Sequence, residues 1–416
     1  MATATDLKVK RPEIDPIDMT DPALYSQDRW QEPFRQLRRH APIQWVPDSH
    51  FGPHWSVSTY KPIVHIEALP QLFSSSFEYG GINIALDAFK HMPGEIRRPS
   101  FIALDPPDHT SRRRTVAPSF GPSEVAEMAA EVRGRTAALL DSLPTDEPFD
   151  WVKEVSIELT TGMLAKLFDF PWEERSNLTR WSDLGANIEL QRTSEGLMTR
   201  NAALAEMGGA FAKLWQDRKA NPGKDLISVM IRSDAMNHMD EDEFAGNIIL
   251  LIVGGNDTTR NSMSGFAYGL HRFPDQRRKL EENPELIPNA VQEIIRWQTP
   301  LAHMRRTVTE DTDMFGPQMR RGDKIALWYL SANRDEDVFD EGEAIRLDRP
   351  NARRHLSFGY GVHRCVGARV AELQLNILLE ELAKRRLRVN VLEEPTRVHA
   401  CFVHGYTQML VELSRY

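Results

Sequence analysis

The chain has 416 residues, 41% hydrophobic and 27% charged, the balance of a globular protein able to build a sizeable core. A formal net charge of -9 argues against a nucleic-acid partner, and two cysteines, Cys365 and Cys401, leave no disulfide framework, so a reducing, cytoplasmic setting is expected. The opening MATATDLKVKRPEIDPIDMT lacks the apolar core of a signal peptide, and the longest aliphatic run, Ile248 to Val253, is too short to span a bilayer; no membrane anchor is expected.

In chain order, the first elements are two short strands, PIQWVP (42–47) and HWSVSTY (54–60). EVAEMAAEVRGRTAALLDSL (124–143) carries the 3.6-residue apolar spacing of a helix. A helical lead-in from Glu241 to Leu251 runs into LLIVGGNDTTRNSM (250–263). DQRRKLEENPELIPNAVQEIIRW (275–297) reads as two helices broken near Asn283 and Pro284, the second ending near Trp297. Strand-like RRTVT (305–309) and KIALWYLS (324–331) precede a long stretch, 332–356, without a regular element; such stretches in compact domains are usually functional. A helix from Ala368 to Leu387 and a strand pair around RVHACFV (397–403) and YTQMLVEL (406–413) complete a mainly α chain with small β-sheets. No linker, low-complexity tract or repeat divides it, so one large domain is predicted.

Two places break the ordinary pattern. Within 250–263 stand two adjacent glycines, an acid and two threonines. Each glycine costs a helix interior ~1 kcal/mol relative to alanine, so the patch needs a reason. Either something large lies against the backbone at Gly254 and Gly255, or the patch is a loop and Asp257 and Thr258 cap a second helix. On a continuous helix, Leu250, Val253, Gly254, Asp257 and Thr258 share one face.

The second place is FGYGVHRCVGARVAELQL (358–375), where Cys365 lies between Gly361 and Gly367 just ahead of a helix. A helix N-terminus stabilises a thiolate, glycines let the backbone approach a large planar ligand, and His363 and Arg364 add positive charge. Most lone cysteines are inert and buried, and Cys401, inside an apparent strand, is expected to be one. No second cysteine or histidine stands at a ligand spacing from Cys365, which disfavours zinc.

The Phe358, Gly361, His363, Cys365 and Gly367 pattern resembles the haem-binding loop of the cytochrome P-450 superfamily of haem-thiolate monooxygenases, and the resemblance runs from about Asp21 to the C terminus. It implies the cytochrome P-450 fold, a single haem-enclosing domain over 21–416, after a loosely ordered extension over 1–20. It also implies haem b (iron protoporphyrin IX) as cofactor, with Cys365 as the axial thiolate to iron, which favours O–O cleavage. Gly254 and Gly255 would then let the long helix lie over the haem and leave room for dioxygen, while Asp257 and Thr258 deliver protons. His109 and Arg113, from DPPDHTSRRR (105–114), with Arg306 and His363, would hold the haem propionates, and Phe358 would flank the haem; Arg112 and Arg114 are read as surface charge.

Glu293 and Arg296 form the family's E-x-x-R pair, completed by Arg349 as a structural triad. That spacing recurs at Glu32/Arg35, Glu95/Arg98, Glu189/Arg192, Glu343/Arg346 and Glu412/Arg415, where it means nothing by itself. The pair at Glu293 differs in closing an apolar helix, with Trp297 and Pro300 after it and the cysteine loop further on.

GGNDTTRNS and LSFGYGVHRCVGARVAELQL look most similar to the bacterial class that hydroxylates terminal carbons of medium-chain alkanes and fatty acids. By that resemblance the substrate pocket draws on Tyr79 to Leu86, including Ile82, on Leu250 and Val253, on Leu301 and Ala302 up to Met304, and on Phe402 and Val403. Apart from Asn83 and His303 these are aliphatic or aromatic, as an alkyl substrate requires, although such side chains suit a core equally well. Electrons are expected from a separate ferredoxin and an NAD(P)H-dependent ferredoxin reductase, and the chain is expected to be a monomer. Hydroxylation of a branched-lipid or steroid side chain stays open as an alternative, as does a haem-thiolate sensor that never turns over.

Overall fold

The computed structural model describes Val9 and residues 12–85 and 99–416; Leu86, Glu95 and Arg98 lie outside the described residues. Its axis is one uninterrupted helix, Glu241–Arg272, of 32 residues. The Asp240 side chain accepts the Glu243 N–H at 2.8 Å, Glu241 to Glu243 crowd the first turn, and His271 and Arg272 occupy the last, so both ends complement the helix dipole. The glycine patch therefore lies inside a helix, and the loop alternative falls.

Apolar cores sit at either end of this axis. Ile248, Leu251 and Ile252 pack with residues of the helices Glu158–Phe168, Ser176–Ala186 and Ser194–Ala220. Met263, Phe266 and Leu270 pack with Ile287–Gln298 and Ala368–Arg385, and with the strands Leu387–Val391 and Leu410–Arg415. Between these cores Val253, Gly254, Asp257 and Thr258 border a cavity.

A five-stranded sheet forms one side of the molecule, in the order Ile43–Val46, His54–Val57, Lys324–Leu327, Met304–Val308, Phe73–Ser74. Trp55 pairs with Ile325 in the parallel step and Arg306 with Ile325 in the antiparallel one. Four strand expectations are corrected. HWSVSTY ends its strand at Val57, and Tyr60 opens the helix Tyr60–Ala68. KIALWYLS leaves the sheet after Leu327 and turns into the short helix Tyr329–Ala332. RVHACFV is mostly irregular, contributing Arg397 to the short strand Thr396–Arg397 and the bridge of Val403 to Leu301. YTQMLVEL splits at Met409 into Tyr406–Gln408 and Leu410–Arg415, which belong to different sheets.

Within the described part of the expected loose extension, Pro12, Glu13, Asp15 and Pro16 are exposed, while Ile14 and Ile17 lie against a core, Met19 is fully buried, and the Gln44 side chain holds the Ile17 carbonyl at 2.8 Å. The stretch 332–356 is built mostly of turns, as its sequence suggests, apart from Ala332 at the end of the helix Tyr329–Ala332 and the single 3-10 turn Ala352–Arg354.

Candidate active site

The cysteine loop is shaped by two glycines at positive φ, Gly359 at +66° and Gly361 at +64°. A side chain at Gly361 would lie 2.3 Å from the Glu67 carbonyl, so the loop rests directly on the end of the helix Tyr60–Ala68. The Cys365 N–H donates to the Phe358 carbonyl at 2.7 Å, and Gly367 starts the helix Ala368–Arg385. Cys365 lies inside the fold, yet its surface is open because it faces a cavity of about 430 Å³. Burial pushes its thiol up, opposed by the Gly367 N–H and by Arg113. Cys401 is fully buried and does not line that cavity.

The long helix presents Leu250, Val253, Gly254, Asp257 and Thr258 to the same cavity. Its two glycines answer different needs. A Cβ on Gly254 would project into open space, so the residue keeps the wall flat; one on Gly255 would stand 2.9 Å from Leu164 Cδ2. Thr258 Oγ1 donates to the Gly254 carbonyl at 2.8 Å, a bond within the helix of the kind that loosens its ladder. Asp257 is buried and turned toward the neighbouring helix. Its Oδ1 accepts from Ser182 Oγ at 2.9 Å and Arg260 Nη2 at 3.1 Å, and Arg260 also pairs with Asp183 at 2.8 Å. Burial raises the Asp257 carboxyl to about 6, with Arg260 opposing.

His109, Arg113, Arg306 and His363 come together on the cavity wall from three separate parts of the chain. The rings of His109 and His363 are 4.1 Å apart, centroid to centroid, and none of their four buried nitrogens has a hydrogen-bond partner among the described residues. Burial and then Arg113 push His109 down to about 4, while burial and then Arg306 push His363 down to about 2. Unpartnered buried polar atoms cost ~1–3 kcal/mol each, so this cluster calls for an anion. Arg306 is held by Glu67 at 2.8 Å; burial pushes the Glu67 carboxyl up, against Arg306. Arg112 is more than surface charge: it pairs with Glu243 in the first turn of the long helix.

The family model described as Cytochrome P450 matches residues 200–395. Linalool 8-monooxygenase of Pseudomonas putida is 34% identical over 95% of this chain and 98% of that protein. The methyl-branched lipid omega-hydroxylase of Mycobacterium tuberculosis is 32% identical over 92% of this chain and 90% of that protein. Among solved structures, CYP153D17 from Sphingomonas sp. PAMC 26605 is 60% identical with a TM-score of 0.91, covering 97% of this chain and 100% of that one. Cytochrome P450-153 from Novosphingobium aromaticivorans is 55% identical with a TM-score of 0.90, covering 95% and 99%.

The chain belongs to the cytochrome P450 family. It is a monooxygenase whose cofactor is haem b under a thiolate ligand. The residues present fit that group: a cysteine open to the cavity, a helix wall left flat at Gly254, and two orphaned imidazoles, each with one N–H to donate, beside two guanidiniums to meet its acidic edge. Among the described residues of this P450, no helix is long and apolar enough to cross a membrane.

The structure brings Phe358, Ile82, Asn83, Leu301, Met304, Phe402 and Val403 to the cavity as well. It does not bring Ala302 or His303, nor Tyr79, Gly81, Ile84 and Ala85 of the segment expected to line it. Ala302 is fully buried, its N–H donating to the Phe402 carbonyl at 2.9 Å and its carbonyl accepting from Leu330 N at 3.1 Å. His303 faces away, Nδ1 lying 3.0 Å from the Cys401 carbonyl and its ring against Trp328. In extended chain next to a cavity, not every residue can face it. Lining residues that sequence reasoning missed include Phe101, Leu164, Leu197 and Gln191, from helices whose own pattern does not reveal which side faces inward.

Proposed function

We propose that this P450 hydroxylates the terminal carbon of medium-chain alkanes or fatty acids, using electrons from a ferredoxin. The observation that carries this reading is the apolar wall of the cavity beside the flat helix face: Leu250, Val253, Leu301, Met304, Phe402 and Val403. Such a wall offers an alkyl chain dispersion contact and few hydrogen bonds. In this reading Cys365 would hold the haem iron through its thiolate, and His109, Arg113, Arg306 and His363 would bind the propionates. When bound, the haem supplies dioxygen activation, its reactivity raised by the electron density of the thiolate. Thr258, bonded to the Gly254 carbonyl of its own helix, holds a proton at its hydroxyl in the cavity, and Asp257, next to it and linked to the surface through Arg260 and Asp183, replenishes that proton. Glu293, Arg296 and Arg349 serve the fold.

The relatives at 34% and 32% identity keep a second substrate class in view, branched isoprenoid or lipid chains. Both readings are separated by chromatography of the products formed from octane, dodecanoic acid and linalool with a surrogate ferredoxin system. Primary alcohols from the unbranched substrates are expected. Internal alcohols, or turnover with linalool alone, would overturn the assignment.

A further inference from the structure

A carboxylate stands beside the place where an acidic cofactor edge is to be bound. Glu67, in the last turn of the helix Tyr60–Ala68, is 3% exposed and lines the cavity next to Arg306 and His363. An acid there would repel propionates unless it had another task. Its bonds show the task. Oε1 accepts from Arg306 Nη2 at 2.8 Å and from the Tyr329 hydroxyl at 2.6 Å, and Oε2 accepts the Tyr360 N–H at 2.8 Å. The first partner lies on the strand Met304–Val308, the second on the short helix Tyr329–Ala332, and the third in the cysteine loop, five residues before Cys365.

The geometry of Arg306 adds to this. Its other terminal nitrogen, Nη1, donates to the Arg305 carbonyl at 2.7 Å, so the guanidinium is held at two points and cannot swing out of the cavity wall. The loop is held equally closely: Gly361 presses on the Glu67 carbonyl, and a Cβ on Gly359 would meet Glu67 Oε1 at 3.6 Å.

We propose that Glu67 is a positioning residue that sets both attachments of the haem at once, by aiming Arg306 at the propionates and by fixing the loop that carries Cys365. The proposal rests on the reading of Arg306 as a propionate partner. It has two consequences that can be read apart from turnover. The charge of Glu67 offsets part of that of Arg306, so removing it while keeping the side-chain shape makes the haem edge more positive and favours the reduced iron. Removing all three bonds frees both attachments, so haem leaves faster.

The test compares the haem-loaded wild type with E67Q, E67A and R306L in two measurements: midpoint potential by spectroelectrochemistry, and haem transfer to apomyoglobin. E67Q is expected to shift the potential positive. E67A is expected to release haem about tenfold faster, the effect of losing one charge-assisted hydrogen bond, and R306L at least as fast. If R306L releases haem quickly while E67Q keeps the wild-type potential and E67A the wild-type release rate, the role given to Glu67 is wrong and that of Arg306 stands. If R306L itself releases haem at the wild-type rate, the reading of Arg306 falls and this inference with it. Should E67A fail to fold, the potential of E67Q decides.

Discussion

Arg349 places its Nε 3.0 Å from each carboxylate oxygen of Glu293. Arg296 approaches the same carboxylate with Nε at 2.7 Å and Nη2 at 2.8 Å, then donates onward to the carbonyls of Asn333, Gly342 and Ala344 at 2.6 to 2.8 Å. The irregular stretch 332–356 thus hangs on two buried arginines that share one acid. Replacing Glu293 with Ala leaves both uncompensated and should cost about 3–5 kcal/mol in urea unfolding. Glu32 and Arg35 have the same spacing, but their side chains are 60% and 32% exposed, so Glu32→Ala should change stability little. Equal losses for the two variants would contradict this.

The two cysteines differ in what they face, and the difference is measurable. Cys365→Ser should abolish the red-shifted Soret band of the reduced carbon monoxide complex, since a neutral hydroxyl lacks the thiolate's electron density. Cys401→Ser should keep it, because Cys401 is sealed in a core that does not reach the cavity. The reverse pattern would move the ligand to Cys401.

Asp257 carries a pH signature with a definite sign. Burial raises its carboxyl from the ordinary 3.8 to about 6, although Arg260 and Ser182 favour the charge; Asp183 pushes the same way as burial. The native chain therefore holds this proton up to about pH 6, while the unfolded chain releases it near 4. Its stabilising contribution is full below that lower value, is lost as pH rises through the window, and is flat above. Unfolding free energies of wild type minus D257N should fall by up to ~3 kcal/mol from pH 4 to 6. Parallel curves for the two proteins would show that Asp257 is ionised throughout.

How much of this was legible beforehand depends on how local the cause is. The cysteine loop and the helices Ile287–Gln298 and Ala368–Arg385 are written in short-range pattern, and their reading stands. The helix Ser194–Ala220 escaped notice because its apolar residues are spread around its circumference and Gly208 and Gly209 interrupt them. KIALWYLS keeps strand-like composition past Leu327, but Trp328 begins a turn fixed by distant contacts, its indole donating to Ser56 Oγ at 2.9 Å. Glu67 gave no local signal at all. Its partners Arg306, Tyr329 and Tyr360 lie 239, 262 and 293 residues away in sequence, distances over which one chain read alone carries no information.

If a ferredoxin is the electron donor, as proposed, the face outside the cysteine loop is where it is expected to dock. Arg353, Arg354, Arg364 and Arg369 are exposed around Tyr360 and Val362, which are 44% and 37% exposed. Four exposed arginines close in sequence to exposed Tyr360 and Val362 would suit a small acidic electron carrier despite the chain's overall charge of -9, because local fields steer encounter. Reversing Arg364 and Arg369 to Glu should slow electron transfer from a ferredoxin at low salt by about tenfold or more and flatten its salt dependence. Substrate binding should not change. Unaltered transfer rates in stopped flow would place the docking face elsewhere.

Terminal selectivity is the most demanding claim, because intrinsic reactivity opposes it. Secondary C–H bonds just inside the end of a chain are weaker than those of the methyl group, so attack at the end must be imposed by position. Each ~1.4 kcal/mol of positional bias changes the ratio of products tenfold. Leu250 and Val253 project from one helix face, Leu301 and Met304 come from the chain leading into and opening a strand, and Phe402 and Val403 from an irregular segment bridged to Leu301. Walls from three independent elements can hold a chain end-on and exclude the bend that would present the second carbon. Phe402 is itself 8% exposed and stacked edge-on to His303 at 5.4 Å, so its ring is a fixed wall. Leu250→Ala or Phe402→Ala opens room for that bend and should raise the share of internal alcohols from dodecane several-fold before total product falls. A control lies close by: Ala302→Gly, at a residue that turns away from the cavity, should leave the product ratio unchanged. If both wall variants kept the wild-type ratio while losing activity, the walls would be binding the substrate without aiming it.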